Sequence, residues 1–188
     1  MQKRQPQQHT IGTRGFTLLE TLVAIFILVI SITGPMVFAQ SGLRASFLAR
    51  DQVTAFYLAQ DVIETIKNIR DENGLNGRDW LTSICDESLA NNNGVCVIYL
   101  DTTLENPEAS RCDGGLCPPL YVDEFKRYVH TGTPEEKSRF TRTVSVYETN
   151  DNIEAQIVVE VGWTSNVRID ESRIVVQENI FNWIPDVN

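Results

Sequence analysis

The sequence of 188 residues predicts an α+β protein in which one long N-terminal helix packs on a C-terminal antiparallel sheet. Residues 21–43 contain no charged side chain, and apolar residues then recur near helical spacing as far as Ile69. Near the C-terminus, apolar and polar residues alternate from Ile153 to Trp163, the period of a strand with one buried face. A helix followed by strands indicates the α+β class.

Length and charge limit the organisation of the chain. Its length suits one globular domain beside a membrane anchor. Residues 1–15 form a polar leader with Lys3, Arg4 and Arg14 and no acid, so its removal leaves 13 of the 16 basic residues against 25 acidic ones. The formal charge of −9 then becomes −12. This excess of negative charge argues against nucleic-acid binding through a broad basic face.

Residues 16–43 are predicted to form the membrane-spanning half of the helix. At about 1.5 Å per residue, residues 21–43 extend roughly 35 Å, enough to cross a hydrocarbon core of about 30 Å. Glu20 stands at the start of this segment, where a carboxylate costs on the order of 2.5–3.5 kcal/mol if it reaches the bilayer centre. The acid needs a cationic partner, and the apolar run itself contains none.

The motif Arg-Gly-Phe-Thr-Leu-Leu-Glu at residues 14–20, followed by the apolar run, resembles the processing signature of type IV pilins and type II secretion pseudopilins. The resemblance implies that a prepilin peptidase cuts after Gly15 and methylates the new N-terminus at Phe16. Methylation keeps the positive charge of the amine. Glu20 becomes the fifth residue of the mature chain, where the terminal ammonium of a neighbouring subunit could neutralise it and fix the register between helices.

Two other interpretations of the N-terminus stay open. Glu20 could mark the start of an ordinary signal anchor. The triplet Val37-Phe38-Ala39 before Gln40 resembles a secretory cleavage site, although the apolar run exceeds the roughly 7–15 residues usual in a signal peptide.

Residues 44–72 are predicted to form the amphipathic half of the helix. Before it, Gly34 and Pro35 predict a kink or a locally melted turn, because proline lacks a backbone donor and its ring clashes with the carbonyl of Ser31. A predicted apolar stripe faces the sheet, and it comprises Phe47, Phe56, Leu58, Ala59, Val62, Ile63, Ile66 and Ile69. Asn73-Gly74 and Asn76-Gly77 are expected to end the helix.

Residues 73–138 form a predicted irregular region rich in Asn, Gly, Asp and Pro, with one short candidate strand at 95–100. The region contains Cys85, Cys96, Cys112 and Cys117, all four cysteines of the chain. Its predicted extracytoplasmic location indicates an oxidising compartment and two disulfides. Pairing Cys85 with Cys96 and Cys112 with Cys117 closes the two shortest loops, but the sequence leaves the connectivity open, with a zinc site or free thiols as alternatives.

Residues 139–188 are predicted to form the antiparallel sheet. Residues 140–148 and 173–181 are rich in β-branched and aromatic side chains, and they flank the alternating strand 153–163. Turn-forming residues at 149–152 and 164–170 make a three-stranded meander the natural pairing. Arg142 and Glu160 are expected to pair across neighbouring strands.

The sequence contains no catalytic constellation, so we predict neither an enzyme nor a cofactor. His9 lies in the leader, and His130 is expected to be a surface loop residue. No nucleophile-elbow, zinc-protease or phosphate-loop motif occurs. The loop acids Asp101, Asp113, Asp123 and Glu124 lack the spacing of an EF-hand, so a solvated acidic surface is favoured over a calcium site.

The predicted function is structural: a minor pilin or pseudopilin, held in the cytoplasmic membrane with its C-terminal domain outside, then built into a filament with other subunits. An open filament requires head-to-tail contacts that do not close into a ring. The alternative from another class is a membrane-anchored binding module, an adhesin or uptake receptor. An anchored enzyme is a third possibility without a supporting motif.

Overall fold

The computed structural model describes residues 15, 17–85, 89–91, 94–104, 107, 109–113, 117–165 and 168–183. The chain divides into two compact units, Met1–Ala45 and Ser46–Asn188. Helix α1 (Leu18–Leu75) begins in the first unit and ends in the second. The strands are β1 (Cys96–Leu100), β2 (Ala109–Arg111), β3 (Pro119–Val122), β4 (Tyr128–Val129), β5 (Lys137–Asn150), β6 (Glu154–Ser165) and β7 (Arg168–Phe181). A short 3-10 helix, Pro134–Glu136, precedes β5.

The second unit, hereafter the head, contains the hydrophobic core. One face of α1 is buried there, through Ala55, Leu58, Ala59, Val62, Ile63, Ile66 and Ile69. The predicted stripe is wrong at Phe47 and Phe56, whose side chains are 56% and 46% exposed. Successive helix residues are about 100° apart, so the buried Ala55 turns Phe56 toward solvent. The small side chains of Ala55 and Ala59 are instead fully buried in the core.

The helix ends three residues later than predicted. Asn73 and Gly74 remain helical, and Gly77 supplies the left-handed backbone with a φ of 64°. The Arg78 amide returns to the Asn73 carbonyl at 2.9 Å. The buried Asn73 side chain donates to the carbonyl of Thr82 at 2.7 Å, which ties the following loop to the helix end. The first Asn-Gly pair therefore serves packing, and the second stops the helix.

The sheet has seven strands, and all the pairs between described strands are antiparallel. The predicted meander of β5, β6 and β7 is confirmed, and β5 pairs on its other side with β1 and β3 at different heights. The inner row of β6 is Ala155, Ile157, Val159, Val161 and Trp163, each at most 4% exposed. Ile153 lies in the preceding turn and is exposed, so the buried row begins at Ala155, two positions later than the sequence indicated.

Residues 73–138 contain more regular structure than the sequence indicated. Besides β1, which was the expected short strand, the region contributes β2, β3 and β4 to the same sheet. These strands have three, four and two residues. A strand that short cannot display a period of two, so its pairing depends on the neighbouring strand rather than on its own sequence.

The predicted cross-strand pair of Arg142 and Glu160 is wrong. Arg142 lies opposite Val161, and Thr143 lies opposite Glu160, so the two charges point to opposite faces of the sheet. Arg142 points into the head, and Glu160 instead binds Arg173 at 3.1 Å on the outer face.

Candidate functional site

The described part of the N-terminal segment begins at Gly15. Gly15 is exposed, and no heavy atom beyond its chain neighbours lies within 4 Å of the position that a Cβ would occupy. Phe16 and residues 1–14 lie outside the described residues. Cleavage between Gly15 and Phe16 and methylation of Phe16 therefore stay predictions.

Glu20 lies in the first turn of α1. Thr17 precedes the helix, and its Oγ1 accepts a hydrogen bond from the Glu20 amide at 3.2 Å. The Thr-x-x-Glu spacing is that of a capping box, and the helix macrodipole favours an acid here by about 0.3–1 kcal/mol. The Glu20 side chain is exposed, and no described cation lies within ion-pair distance of it.

The helix beyond Glu20 presents apolar side chains in every direction. It contains a stretch of 18 residues with a mean hydropathy of 2.5, none of them buried. Among the described residues, α1 is the one helix long and apolar enough to cross a membrane. Its large exposed side chains are Leu18, Leu19, Leu22, Val23, Ile25, Phe26, Ile27, Leu28, Val29, Ile30, Ile32, Met36, Val37, Phe38 and Leu43. A helix that is apolar all round requires an apolar environment on all sides.

The polar groups of this segment bond within the helix itself. The Ser31 hydroxyl donates to the Leu28 carbonyl at 2.8 Å, and the Thr33 hydroxyl donates to the carbonyls of Val29 and Ile30 at 3.1 Å. Helical residues continue without a break through Gly34 and Pro35, so the turn around Pro35 is not melted. The predicted kink at this position stays a prediction.

The sequence family described as the prokaryotic N-terminal methylation motif matches residues 12–34. This range includes the cleavage position, Glu20 and most of the apolar run. The chain is type IV pilin-like. No curated protein and no solved structure is significantly similar to it.

The fold agrees with this pilin-like assignment, because a long N-terminal helix packs through its C-terminal half on an antiparallel sheet. The motif is that of a precursor whose family is structural rather than enzymatic. The apolar helix and the motif together are consistent with a membrane-anchored pilin.

The cysteines of this pilin-like chain form two pairs in the head. Cys85 is joined to Cys96, with 5.5 Å between their Cα atoms, and Cys112 to Cys117, with 4.5 Å. Of the three connectivities that the sequence left open, the structure has the one that closes the shortest loops. Both pairs lie around β1, since Cys96 begins that strand and the Cys112 amide donates to the carbonyl of Val97 at 2.9 Å.

A buried arginine connects the helix to the sheet. Arg142 on β5 is 1% exposed, and its guanidinium donates to the carbonyls of Leu58 and Leu100 at 3.1 and 2.8 Å and to the Asp61 carboxylate at 3.4 Å. Burial lowers the pKa of Arg142, and Asp61 acts in the opposite direction. The sequence indicated a cross-strand pair with Glu160 instead, since a single polar residue on a strand does not reveal which face it occupies.

His130 is buried, contrary to the expected surface loop. It is 6% exposed, and its ring centroid lies 5.0 Å from that of Tyr99. Burial is the main cause that lowers its pKa to about 4, and the positive charge of Arg142 adds to the effect. The negative charge of Asp101 opposes this lowering of the pKa. The Asp101 carboxylate also accepts a hydrogen bond from the backbone amide of His130 at 3.4 Å. These contacts give His130 a structural role in the head.

Two of the loop acids bind groups of their own loops. Among the described residues, no group of three or more His, Cys, Asp or Glu side chains could hold a metal ion. The Asp123 carboxylate accepts hydrogen bonds from the guanidinium and the backbone amide of Arg127, both at 2.8 Å. These bonds close the turn between β3 and β4. Asp101 binds the Thr103 hydroxyl at 2.7 Å. These two acids organise loops.

Proposed function

We propose that this protein is a minor pilin or pseudopilin that is processed after Gly15, methylated at Phe16 and assembled into a filament through residues 16–43. In this proposal, residues 1–15 are the leader that the prepilin peptidase removes. Before assembly, the subunit is held in the cytoplasmic membrane with its head on the extracytoplasmic side. The apolar helix then moves from the membrane into the filament.

The observation that carries the proposal is the isolated Glu20 carboxylate on an apolar helix. The acid has no described ionic partner within its own chain, and every large side chain around it from Leu18 to Phe26 is exposed. Burial of this surface among the helices of other subunits would desolvate Glu20. The methylated ammonium at Phe16 of a neighbour then supplies the counter-charge. Losing one partner of such a buried pair costs about 3–5 kcal/mol.

The first test of the proposal measures processing. Mass spectrometry of membrane-purified protein should give a chain that begins at methylated Phe16. Gly15→Val should give the mass of the uncleaved precursor, because a branched side chain next to the scissile bond blocks cleavage. An intact N-terminus in the wild type indicates a plain anchor, and a chain that begins at Gln40 indicates ordinary secretion. Either result contradicts the proposal.

The second test measures assembly. Glu20→Gln and Glu20→Ala should reduce sheared filaments at least 100-fold, since a penalty of about 3–5 kcal/mol per subunit corresponds to a factor of about 100 or more. Both variants should still be cleaved and should keep a folded head. Glu64→Gln is the matched control, because Glu64 lies on the same helix with its side chain 68% exposed. Filaments at wild-type levels from the Glu20 variants would refute the pairing.

A cleft in the head favours the second candidate, an anchored binding module. The cleft has a volume of ≈ 800 Å³, and α1, the segment after β1 and the turn before β4 contribute to its walls. Tyr57, Asp61, Thr102 and Arg127 place aromatic, acidic, hydroxyl and basic groups around it. If binding is the function, Gly15→Val should leave it intact. If filament assembly is the function, Gly15→Val should abolish assembly.

A further inference from the structure

The cleft of the head has the dimensions of a site for an organic ligand. Its volume is ≈ 800 Å³, and its walls all belong to one compact unit. Ligand pockets typically span about 300–1,000 Å³ and combine apolar walls with a few placed polar groups. The charges and the hydrogen-bonding groups of the lining then define which ligand class fits.

The charged residues in the lining of the cleft already have ion partners within the head. The pairs are Asp61 with Arg142 at 3.4 Å, Arg127 with Asp123 at 2.8 Å and Glu64 with Lys67 at 3.4 Å. Lys67 also binds Glu178, but the Glu64 side chain is 68% exposed, so solvent screens its charge. A charged ligand would have to break one of these pairs or leave its own charge unpaired. The cleft therefore favours a neutral ligand.

The threonine hydroxyls of the lining can only accept hydrogen bonds from a ligand. A hydroxyl has one proton to donate and two lone pairs that accept. The protons go to acceptors of the protein itself: Thr102 to Asp61 at 2.5 Å, Thr103 to Asp101 at 2.7 Å and Thr54 to the Arg50 carbonyl at 3.0 Å. A ligand that satisfies the remaining lone pairs must therefore be rich in donors.

A buried arginine holds the strongest of these acceptors in place. Arg142 is 1% exposed, and its guanidinium also donates to the carbonyls of Leu58 and Leu100. Arg142 and Thr102 both contact Oδ2 of Asp61, and within the described part of the chain Oδ1 accepts no hydrogen bond. The Asp61 side chain is 51% exposed. Its carboxylate is thus fixed from behind and accessible to a donor in the cleft.

Tyr57 adds an aromatic surface next to these acceptors. It lies one turn before Asp61 on α1, and its side chain is 65% exposed. The negative face of an aromatic ring attracts C–H groups, such as those on one face of a sugar ring. The exposed Gln60 amide, also in the lining, offers both a donor and an acceptor.

We infer that the cleft binds a neutral saccharide, with one sugar ring packed on Tyr57 and its hydroxyl groups donating to Asp61 and to the threonine oxygens. Saccharides combine many hydroxyl donors with an apolar ring face and no net charge. The inference rests on the anchored binding module, the second candidate function, and names the ligand class of that module.

Isothermal titration of full-length protein in lipid nanodiscs tests the inference. The probes are neutral trisaccharides of glucose, galactose, mannose and N-acetylglucosamine, with sialyllactose as the acidic probe and the glucosamine trisaccharide as the basic one. At least one neutral probe should bind saturably, one per chain, and at least 10-fold more tightly than either charged probe. Its dissociation constant should change less than 2-fold between about 0.05 and 0.5 M salt, because no net charge is paired.

Two substitutions in the cleft should weaken this binding, Tyr57→Ala at least 10-fold and Gln60→Ala at least 3-fold. Phe181→Ala and Gln52→Ala are the matched controls, since both side chains are exposed and lie outside the cleft, and they should change the affinity less than 2-fold. Gly15→Val should bind with wild-type affinity, so a failure of sugar binding is distinguishable from a failure of filament assembly. Circular dichroism verifies that each variant is folded.

Three results would overturn the inference. The first is no saturable binding of any neutral probe up to about 10 mM. The second is tighter, salt-dependent binding of a charged probe, which would make the cleft a site for an ion. The third is unchanged binding by folded Tyr57→Ala and Gln60→Ala, which would place the sugar elsewhere on the protein.

Discussion

His130 should make the stability of the head depend on pH. Its pKa of about 4 in the folded head lies below the value of 6.5 expected for an exposed histidine. The unfolded chain therefore binds the proton more tightly than the folded one. The stability linked to His130 is complete above about pH 6.5 and is lost as the pH falls toward 4.

The magnitude follows from the two pKa values. A separation of about 2.5 pH units corresponds to about 3 kcal/mol, which is the full penalty below pH 4. Between pH 7 and pH 5, the two titrations give about 2 kcal/mol of this loss. This free energy is not reduced for solvent screening, because His130 is only 6% exposed and the nearby positive charge of Arg142 disfavours a second one.

Urea unfolding of the wild type and His130→Phe at pH 7, 6 and 5 tests this prediction. Phenylalanine preserves an aromatic ring beside Tyr99 and cannot bind a proton. Trp80 and Trp163 are 3% and 4% exposed, so their fluorescence reports on the core of the head. The free energy of unfolding of the wild type should fall by about 2 kcal/mol more than that of the variant. Parallel pH curves for the two proteins would refute this role of His130, because carboxylates common to both cancel in the difference.

Two further changes test the head in the same unfolding assay. Serine at both Cys85 and Cys96 should lower the free energy of unfolding by about 3 kcal/mol, the loop entropy expected for a separation of 11 residues, and dithiothreitol should then affect the variant less than the wild type. Gly132→Ala should cost about 1–3 kcal/mol, because a Cβ there would lie 2.6 Å from the Cβ of Tyr121, while Thr131→Ala should change stability by less than about 0.5 kcal/mol. Unchanged stability in either case would contradict the contact described.

The long-range patterns of the sequence predicted the fold class correctly. The uncharged run and the helical stripe predicted α1, and the alternation of valines and isoleucines predicted β6 with its buried row. These elements are long enough for a period to repeat several times. The predicted stripe was wrong at Phe47 and Phe56. Residue types alone do not define the edge of the buried helix face to within one residue.

The polar residues of the head were the least predictable part. Asp51 is 2% exposed and binds Arg139 at 2.5 Å, across a sequence separation of 88 residues. Arg142 is buried through contacts with helix and strand residues at sequence separations of 84 and 42. Nothing local distinguishes these residues from solvated ones, since their burial depends on partners that the fold brings together. Strands β2, β3 and β4 escaped prediction for the same reason.

The sequence signal of the candidate site is local, and the cleavage, methylation and assembly roles of its residues stay predictions. Gly15, Phe16 and Glu20 lie within six residues, and a processing enzyme reads such a segment as a contiguous peptide. The family match at residues 12–34 rests on the same short motif.

The two disulfides have a consequence for when the head can mature. Both flank β1, one of the two strands through which the loop region joins the central β5, and disulfides form in an oxidising compartment rather than in the reducing interior of the cell. If the head is exported as proposed, a freshly inserted subunit is incomplete for a time, and the rate of thiol oxidation sets how quickly usable subunits accumulate. Cells deprived of thiol-oxidising capacity should hold a stock of immature, protease-sensitive heads while the anchor is already in place.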